Sequence, residues 1–576
     1  MRGFTAPGGR LGVHLLPGIA LVGALALVLA LASQAGAASG NWDRAWGKDV
    51  NGGGVFGVCT VAASCLPGTF GGLGGELNGA QGVATDAAGN VYVADRTNNR
   101  IQKFDSLGNW QRTWGKGVNG GGGFEVCAAA SSCQAGTPGA LGGEMNLPAG
   151  VATDAAGNVY VADSDNNRIQ KFDSFGNFQR AWGKGVNGGG VFEVCTVASS
   201  CQAGPTGGLG GEMNIPLGVA TDAAGNVYVS DRNNNRIQKF DSSGNFLRAW
   251  GKDVIQSGHT GDTGTGFEIC TVAADCQVGT SGGLGGEMNI PFGVTTDAGG
   301  NLYVTDTQNN RVQKFDSSGN WDRAWGKDVN GGGVFGVCTV SAGCQPGTTG
   351  GLGGEMASPN DVATDAAGNV YVADGANNRI QKFDSLGNFQ RAWGKNVNGG
   401  GVFGVCTVSA GCLAGTTGGL GGEMSFPTGV ATDAVGNLYV TDGANFRIQR
   451  FADPLPPGGG GGGGGESAAM PSNTFAIGKL RRKTLTVSVS SAGVVRVTDA
   501  GARGTASRAI AAAKRLLKPS SASGGPGPIK VTLRLTKLGN QRLRQKGKVT
   551  VNARITFTPS GGIANSQTAR LKIKRK

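Results

Sequence analysis

The chain has 576 residues, of which 109 are glycine, twelve are cysteine and only 15% are charged. It is too long for one compact domain, and its glycines fall at fixed places in a long repeat, which excludes a low-complexity chain. The net charge of +13 hides two opposite parts: residues 39–466 carry 26 basic against 37 acidic side chains, and residues 467–576 carry 23 basic against the single acid Asp499.

Residues 1–37 read as a secretory signal. Arg2 and Arg10 precede an apolar run from Leu15 to Ala32, and Ala35-Gly36-Ala37 supplies a small-residue cleavage site. The run is nearly long enough to span a bilayer, so a retained anchor is the alternative; no later segment is apolar enough to cross. Twelve cysteines behind such a segment predict an oxidising compartment and six disulfides, in a secreted or cell-envelope protein.

From residue 38 to 453 the chain repeats itself. Gly82-Val-Ala-Thr-Asp-Ala-Ala-Gly-Asn-Val-Tyr-Val-Ala-Asp95 recurs from Gly150, Gly218, Gly293, Asp361 and Gly429, at offsets of 68, 68, 75, 68 and 68 residues. One unit holds four short strands, Gly82–Asp86, Val91–Asp95, Arg100–Asp105 and Trp110–Gly115, joined by tight turns rich in Gly and Asn. A sheet of this size cannot bury both faces alone and must stack on its own copies; radial stacking gives an all-β propeller.

The sixth unit ends at Asp453 without its fourth strand. The missing piece stands at the other end, where Asn41-Trp-Asp-Arg-Ala-Trp-Gly47 equals Asn320–Gly326. The N-terminal strand should therefore complete blade six and close the ring, leaving no open edge.

The run G-V-A-T-D-x-x-G-N-V-Y-V-A-D, then N-N-R-I-Q-K-F-D, then a strand ending W-G-K, resembles the NHL repeat over most of residues 41–453. The resemblance implies a six-bladed propeller that recognises ligands or partners. Amidating lyases of similar build need several histidines around a metal, and this chain has only His14 and His259. Gluconolactonase-type propellers place acidic residues and Asn around a divalent ion in the central channel; no non-repeated Glu or Asp stands out for that role. No RING-type cysteine series accompanies the repeats, and an acidic propeller does not predict specific nucleic-acid binding.

Each unit departs from the ordinary repeat by about twenty inserted residues carrying C-x5-C: Cys59/Cys65, Cys127/Cys133, Cys195/Cys201, Cys270/Cys276, Cys338/Cys344 and Cys406/Cys412. Zinc sites need a second pair or histidines, so local disulfides are expected; bridges between blades would require neighbouring insertions to touch. The insertions should form a crown on the face that also bears the Asn-rich turns, and long ordered loops on a rigid scaffold are where recognition sits.

Asp95 and Arg100 recur as Asp163/Arg168, Asp231/Arg236, Asp306/Arg311, Asp374/Arg379 and Asp442/Arg447. Six identical copies favour a structural role, bracketing a turn, over a ring of catalytic groups. Asp86 and the glutamates of G-G-E (Glu76, Glu144, Glu212, Glu287, Glu355 and Glu423) read the same way. Calcium held by Asp and Asn oxygens near the axis is the one cofactor left open, and no EF-hand-like loop spacing appears. The fourth insertion gains seven residues, with His259 among them, and is read as the one sequence-unique spot on the crown.

Residues 454–466 form a Pro/Gly linker with eight consecutive glycines. Beyond it, alternation predicts strands at Leu485–Val489, Val494–Thr498, Ile529–Thr536, Lys548–Thr558 and Ala569–Lys574, with a helix over Ala506–Lys518. This resembles a small immunoglobulin-like module, and its net +22 predicts adhesion to anionic envelope polymers. The expected protein is a monomeric, non-catalytic binding scaffold for a protein or polysaccharide. An exported hydrolase or lyase with a divalent ion in its channel is the alternative.

Overall fold

The computed structural model describes residues 42–452, and residues 475–574 without 482–483, 490–492, 500–515, 519, 525–526 and 560–564. The chain divides into two compact units, Met1–Asp453 and Pro454–Lys576. The signal read at 1–37 and the linker read at 454–466 lie outside the described residues.

The repeat folds into six antiparallel sheets of five strands each. In blade one, Ala80–Thr85, Val91–Asp95, Arg100–Phe104, Trp110–Lys116 and Phe124–Cys127 lie side by side in chain order. The first four follow the sequence reading closely. The fifth comes from the insertion and pairs with the fourth, Lys116 opposite Phe124 and Thr113 opposite Cys127. The inner strands of all six sheets line one channel, so the sheets stand radially as the blades of a propeller.

Strands two and three are buried along their whole length in blade one, which is why V-Y-V-A-D lacks the alternation of a half-exposed strand. Each blade covers the next. Tyr92, Ile101 and Trp114 of blade one pack on Val151, Val161 and Phe172 of blade two, with the Trp114 and Phe172 rings 6.0 Å apart. Each Val or Phe buried this way contributes roughly 1.5–3 kcal/mol. The slot for the indole depends on a glycine: a Cβ on Gly176, at φ +86°, would stand 2.7 Å from the Trp114 ring.

Blade six is assembled from both ends of the repeat. Pro427–Thr432, Leu438–Asp442 and Arg447–Phe451 are followed in the sheet by Trp42–Lys48 and Phe56–Cys59. Ala45 faces Gln449 and Trp46 faces Ile448, so the N-terminal strand closes the ring by main-chain pairing. At the axis a second closure runs through side chains. Thr153 Oγ1 donates to the carbonyl of Thr85, Thr221 to Thr153, Thr296 to Thr221, Thr364 to Thr296, Thr432 to Thr364 and Thr85 to Thr432.

The second unit contains a three-stranded sheet (Phe475–Arg481, Thr484–Val489, Gly527–Thr532) and a four-stranded sheet. The latter runs Ser520–Gly524, Gly493–Asp499, Lys548–Pro559, Asn565–Lys574. Leu485, Val531, Val497, Ile555 and Ile573 meet in one core. Two expectations are corrected. Leu517–Lys518, the end of the expected helix, is a strand paired with Arg534–Leu535, while 506–515 lie outside the described residues. The described α-helix is Lys537–Lys546, which follows a stretch read as one strand and found as two, in different sheets.

Candidate functional site: the loop-rich end of the propeller

Each Asp–Arg pair lies at the turn between strands two and three, and both partners are fully buried. Arg100 Nε donates to Asp95 Oδ2 at 2.7 Å, and Gln102 and Asn98 donate to the same oxygen. The rest of the guanidinium is spent on loop carbonyls. Nη1 reaches Gly72 and Gln134, and Nη2 reaches Leu73 and Glu76. Arg100 thus gathers the loop entering its blade and the loop leaving it. Burial pushes the Asp95 carboxyl up, and the facing Arg100 opposes that.

Five further blades repeat the bond at 2.8 Å, as Asp163–Arg168, Asp231–Arg236, Asp306–Arg311, Asp374–Arg379 and Asp442–Arg447. The expectation that these pairs bracket a turn is therefore too narrow, because each arginine reaches well beyond its own hairpin. Arg168 joins the carbonyls of Ala140 and Gln202, Arg236 those of Gly208 and Gln277, and Arg311 those of Gly283 and Gln345. Arg379 and Arg447 do the same with Gly351 and Leu413, and with Gly419 and Leu66. With every donor engaged, the set is a clamp on the loops.

The G-G-E glutamates hold the same loops by their N–H groups. Glu144 Oε2 accepts the N–H of Leu141 at 3.2 Å and faces Lys116 of the preceding blade at 3.6 Å. Asp86 caps its hairpin, accepting the N–H groups of Ala88 and Asn90 and the Tyr92 hydroxyl.

All twelve cysteines pair locally, as Cys59–Cys65, Cys127–Cys133, Cys195–Cys201, Cys270–Cys276, Cys338–Cys344 and Cys406–Cys412, with Cα atoms 5.5–5.7 Å apart. No bridge runs between blades. The expected crown is corrected: Cys127, Cys195, Cys270 and their equivalents end the fifth strand, and Cys133, Cys201 and Cys276 follow six residues later. The staples therefore flank the blade's outer edge and do not rise above one face. Each is tied to the loop of the preceding blade junction: Gly142 donates to the carbonyl of Ala198, and Gly353 to that of Ser409. Beside these ties the chain exposes a repeated apolar pair. Leu141 and Val197 are 44% and 58% exposed, and Leu352 and Val408 are 41% and 67% exposed.

At the entry to five of the six inner strands, a residue before proline takes the left-handed conformation. Leu147, Ile215, Ile290, Ser358 and Phe426 have φ of +49° to +54°, which β-branched residues rarely adopt. An asparagine of the previous blade holds each one: Asn167 Oδ1 accepts the N–H of Ile215 at 2.9 Å, and Asn378 Oδ1 that of Phe426 at 2.9 Å. The junction from blade six to blade one is different. Phe446 replaces the asparagine, and Gly79 replaces the bulky residue. Without an amide to anchor it, the left-handed position goes to the residue that bears φ +61° at no steric cost. Phe446 itself sits at φ +48°, and its ring meets Phe70 edge-on at 6.0 Å. Phe70 is 65% exposed.

The channel, about 200 Å³, is lined by Gly, Val, Ala and Thr of the six inner strands, and by one carboxylate, Asp361. Asp361 stands where five units have glycine. Its oxygens accept the N–H groups of Val362 and Val430, at 2.9 and 3.0 Å. Burial pushes its carboxyl up to about 7. A divalent ion needs several oxygen ligands, and Asp361 is the one carboxylate among the described Gly, Val, Ala and Thr residues of this lining. Among the described residues no group of three or more His, Cys, Asp or Glu is placed to hold a metal.

The NHL repeat family matches six times, at residues 77–104, 145–172, 213–240, 288–315, 356–383 and 424–451. The chain carries six NHL repeats. NHL repeat-containing protein 3 of Homo sapiens is 34% identical over 132 residues, 21% of this chain and 32% of that protein. Protein brain tumor of Drosophila melanogaster is 26% identical over 190 residues, 33% of this chain and 13% of that protein. This chain thus spans about a third or less of the length of these relatives. Among solved structures, a streptogramin B lyase is 12% identical with a TM-score of 0.30, covering 65% of this chain and 93% of that one. A gluconolactonase from Xanthomonas campestris is 12% identical with a TM-score of 0.32, covering 66% and 89%.

Two of the NHL propeller's asymmetric features escape the sequence reading. Asp361 opens the fifth unit in a column of glycines, and Phe446 turns N-N-R-I into N-F-R-I. Both are legible as single departures from the repeat. The long fourth insertion is therefore not the sole asymmetry. In it, His259 Nδ1 lies 3.0 Å from Asp275 Oδ1, next to the Cys270–Cys276 staple. Glu268, fixed by the N–H groups of Ile255 and Thr263, holds that loop.

Proposed function

We propose that this NHL-repeat chain is an exported, non-catalytic scaffold that takes a protein partner on the loop-rich end of its propeller. Its basic C-terminal unit, read as an immunoglobulin-like module, holds it to anionic envelope polymers. The carrying observation is the Phe70–Phe446 pair. An aromatic residue kept in a strained backbone conformation, with its ring against an exposed neighbour, serves binding better than folding, since asparagine fills the same position in five other blades. The repeated Leu–Val pairs extend the apolar surface around the blades' edges. The six disulfides support an oxidising compartment. Among the described residues no helix is long and apolar enough to cross a membrane.

The test is cross-linking capture from envelope extracts with the full chain and with a Phe70→Ser/Phe446→Asn variant. Proteins retained by the first and lost by the second support the reading. Equal retention, or binding only to polysaccharides on a glycan array, refutes it.

A further inference from the structure

The four-stranded sheet of the C-terminal unit has one face in the core and one outside. Along Lys548–Pro559, Val549, Val551 and Ile555 are buried, as are Leu571 and Ile573 along Asn565–Lys574. Between them, Lys548, Arg570, Lys572 and Lys574 are exposed. The pairing register sets Lys548 directly opposite Lys574, Thr550 opposite Lys572, and Asn552 opposite Arg570. Four cations therefore share one face of two adjacent strands.

Like charges directly opposite each other on a sheet cost stability. Nothing in the sequence of this unit relieves them. Asp499 is the only acid in residues 467–576. A sheet face that tolerates this arrangement is complementary to a polyanion. Alternation places Arg570, Lys572 and Lys574 about 7 Å apart along their strand, a spacing comparable to that of successive phosphates in a phosphodiester chain. Residues 467–576 contain no Trp or Tyr and only two phenylalanines, Phe475 and Phe557, so the unit is poor in the aromatic platforms on which unpaired bases commonly stack.

We propose that this face binds a linear polyphosphodiester without bases, of the polyol-phosphate kind, laid along Asn565–Lys574. Successive phosphates meet Arg570, Lys572 and Lys574, and one is shared between Lys574 and Lys548. The proposal rests on the adhesive role given to this unit above, and names the polymer and the surface.

The experiment titrates the full chain with poly(glycerol phosphate) at increasing salt. Four cation–phosphate contacts give a slope of about −3 in log K against log salt. The triple variant Arg570→Gln/Lys572→Gln/Lys574→Gln should bind at least tenfold more weakly at low salt, with a slope shallower by about two. Its melting temperature should not fall. A control variant, Lys530→Gln/Arg542→Gln, changes exposed cations on the other sheet and the helix and should bind like the parent.

Equal losses in both variants would overturn this face while leaving polyanion adhesion standing. Equal competition by poly-aspartate would overturn the phosphodiester assignment. Tighter binding of single-stranded DNA would overturn the base-free one. No binding to any of the three polymers would sink the adhesive role itself.

Discussion

Asp361 in blade five accepts the backbone N–H of Val430 in blade six at 3.0 Å, and its carboxylate is the only one among the described residues that line the channel. Its other oxygen lies where a side chain on Gly293 of blade four would have to go. One residue thus touches three blades. Burial raises its carboxyl to about 7, above the value of about 3.9 expected in an unfolded chain. The folded state holds the proton more tightly, so this group's contribution to stability is greatest below pH 4. It declines as pH rises from about 4 to 7 and is constant above that. Among the described residues no other ionisable side chain lines the channel to offset it. The difference in melting temperature between Asp361→Asn and the parent should grow in the variant's favour across that window. A difference independent of pH would show that the carboxyl titrates normally.

Arg379 is fully buried against Asp374 at 2.8 Å and also holds four loop carbonyls. Arg379→Gln leaves a buried carboxylate without a counter-charge, which costs roughly 3–5 kcal/mol. Asp374→Asn combined with Arg379→Gln should cost less, because no lone charge remains. Denaturant midpoints of the two variants decide the order.

The Cys338–Cys344 staple closes a short loop, six residues apart in sequence. Its removal by Cys338→Ser/Cys344→Ser should cost about 2 kcal/mol or less. The loss should be local. Hydrogen exchange should speed up in the insertion of blade four and stay unchanged in Leu302–Asp306, which is buried between blades.

Phe446→Asn restores the residue of the other five blades and removes a left-handed aromatic. Relief of such strain is worth of order 1 kcal/mol, so the variant should melt at or above the parent temperature while losing partner capture. A variant that loses stability and keeps its partners would place Phe446 in the fold and not in binding.

Most of the propeller is legible in the sequence because every element is written six times. The match of Asn41–Gly47 to Asn320–Gly326 reveals even the closure. The fifth strand is not legible: Phe124–Cys127 is four residues long inside a glycine-rich insertion, too short to display a period of two. The wide reach of Arg168, Arg236 and Arg311 is hidden as well, since their carbonyl partners carry no side-chain signal. The helix Lys537–Lys546 escapes for another reason. It buries Leu543 and exposes arginine, lysine and glutamine around it, so no apolar stripe marks it. Asp361 and Phe446 stand in plain view but carry meaning only once the channel and the left-handed turn positions are known. A repeat makes its exceptions easy to average away.

The six threonine bonds at the axis all point the same way round, each blade donating to the one before it. Such a circuit has no beginning, and the pair Thr85–Thr432, which spans the chain's own break, is bonded like the rest. The axial bonds therefore do not single out the break between residues 42 and 452. A circular permutant cut in any insertion, with residues 42 and 452 joined by a linker, should rebuild the same wheel.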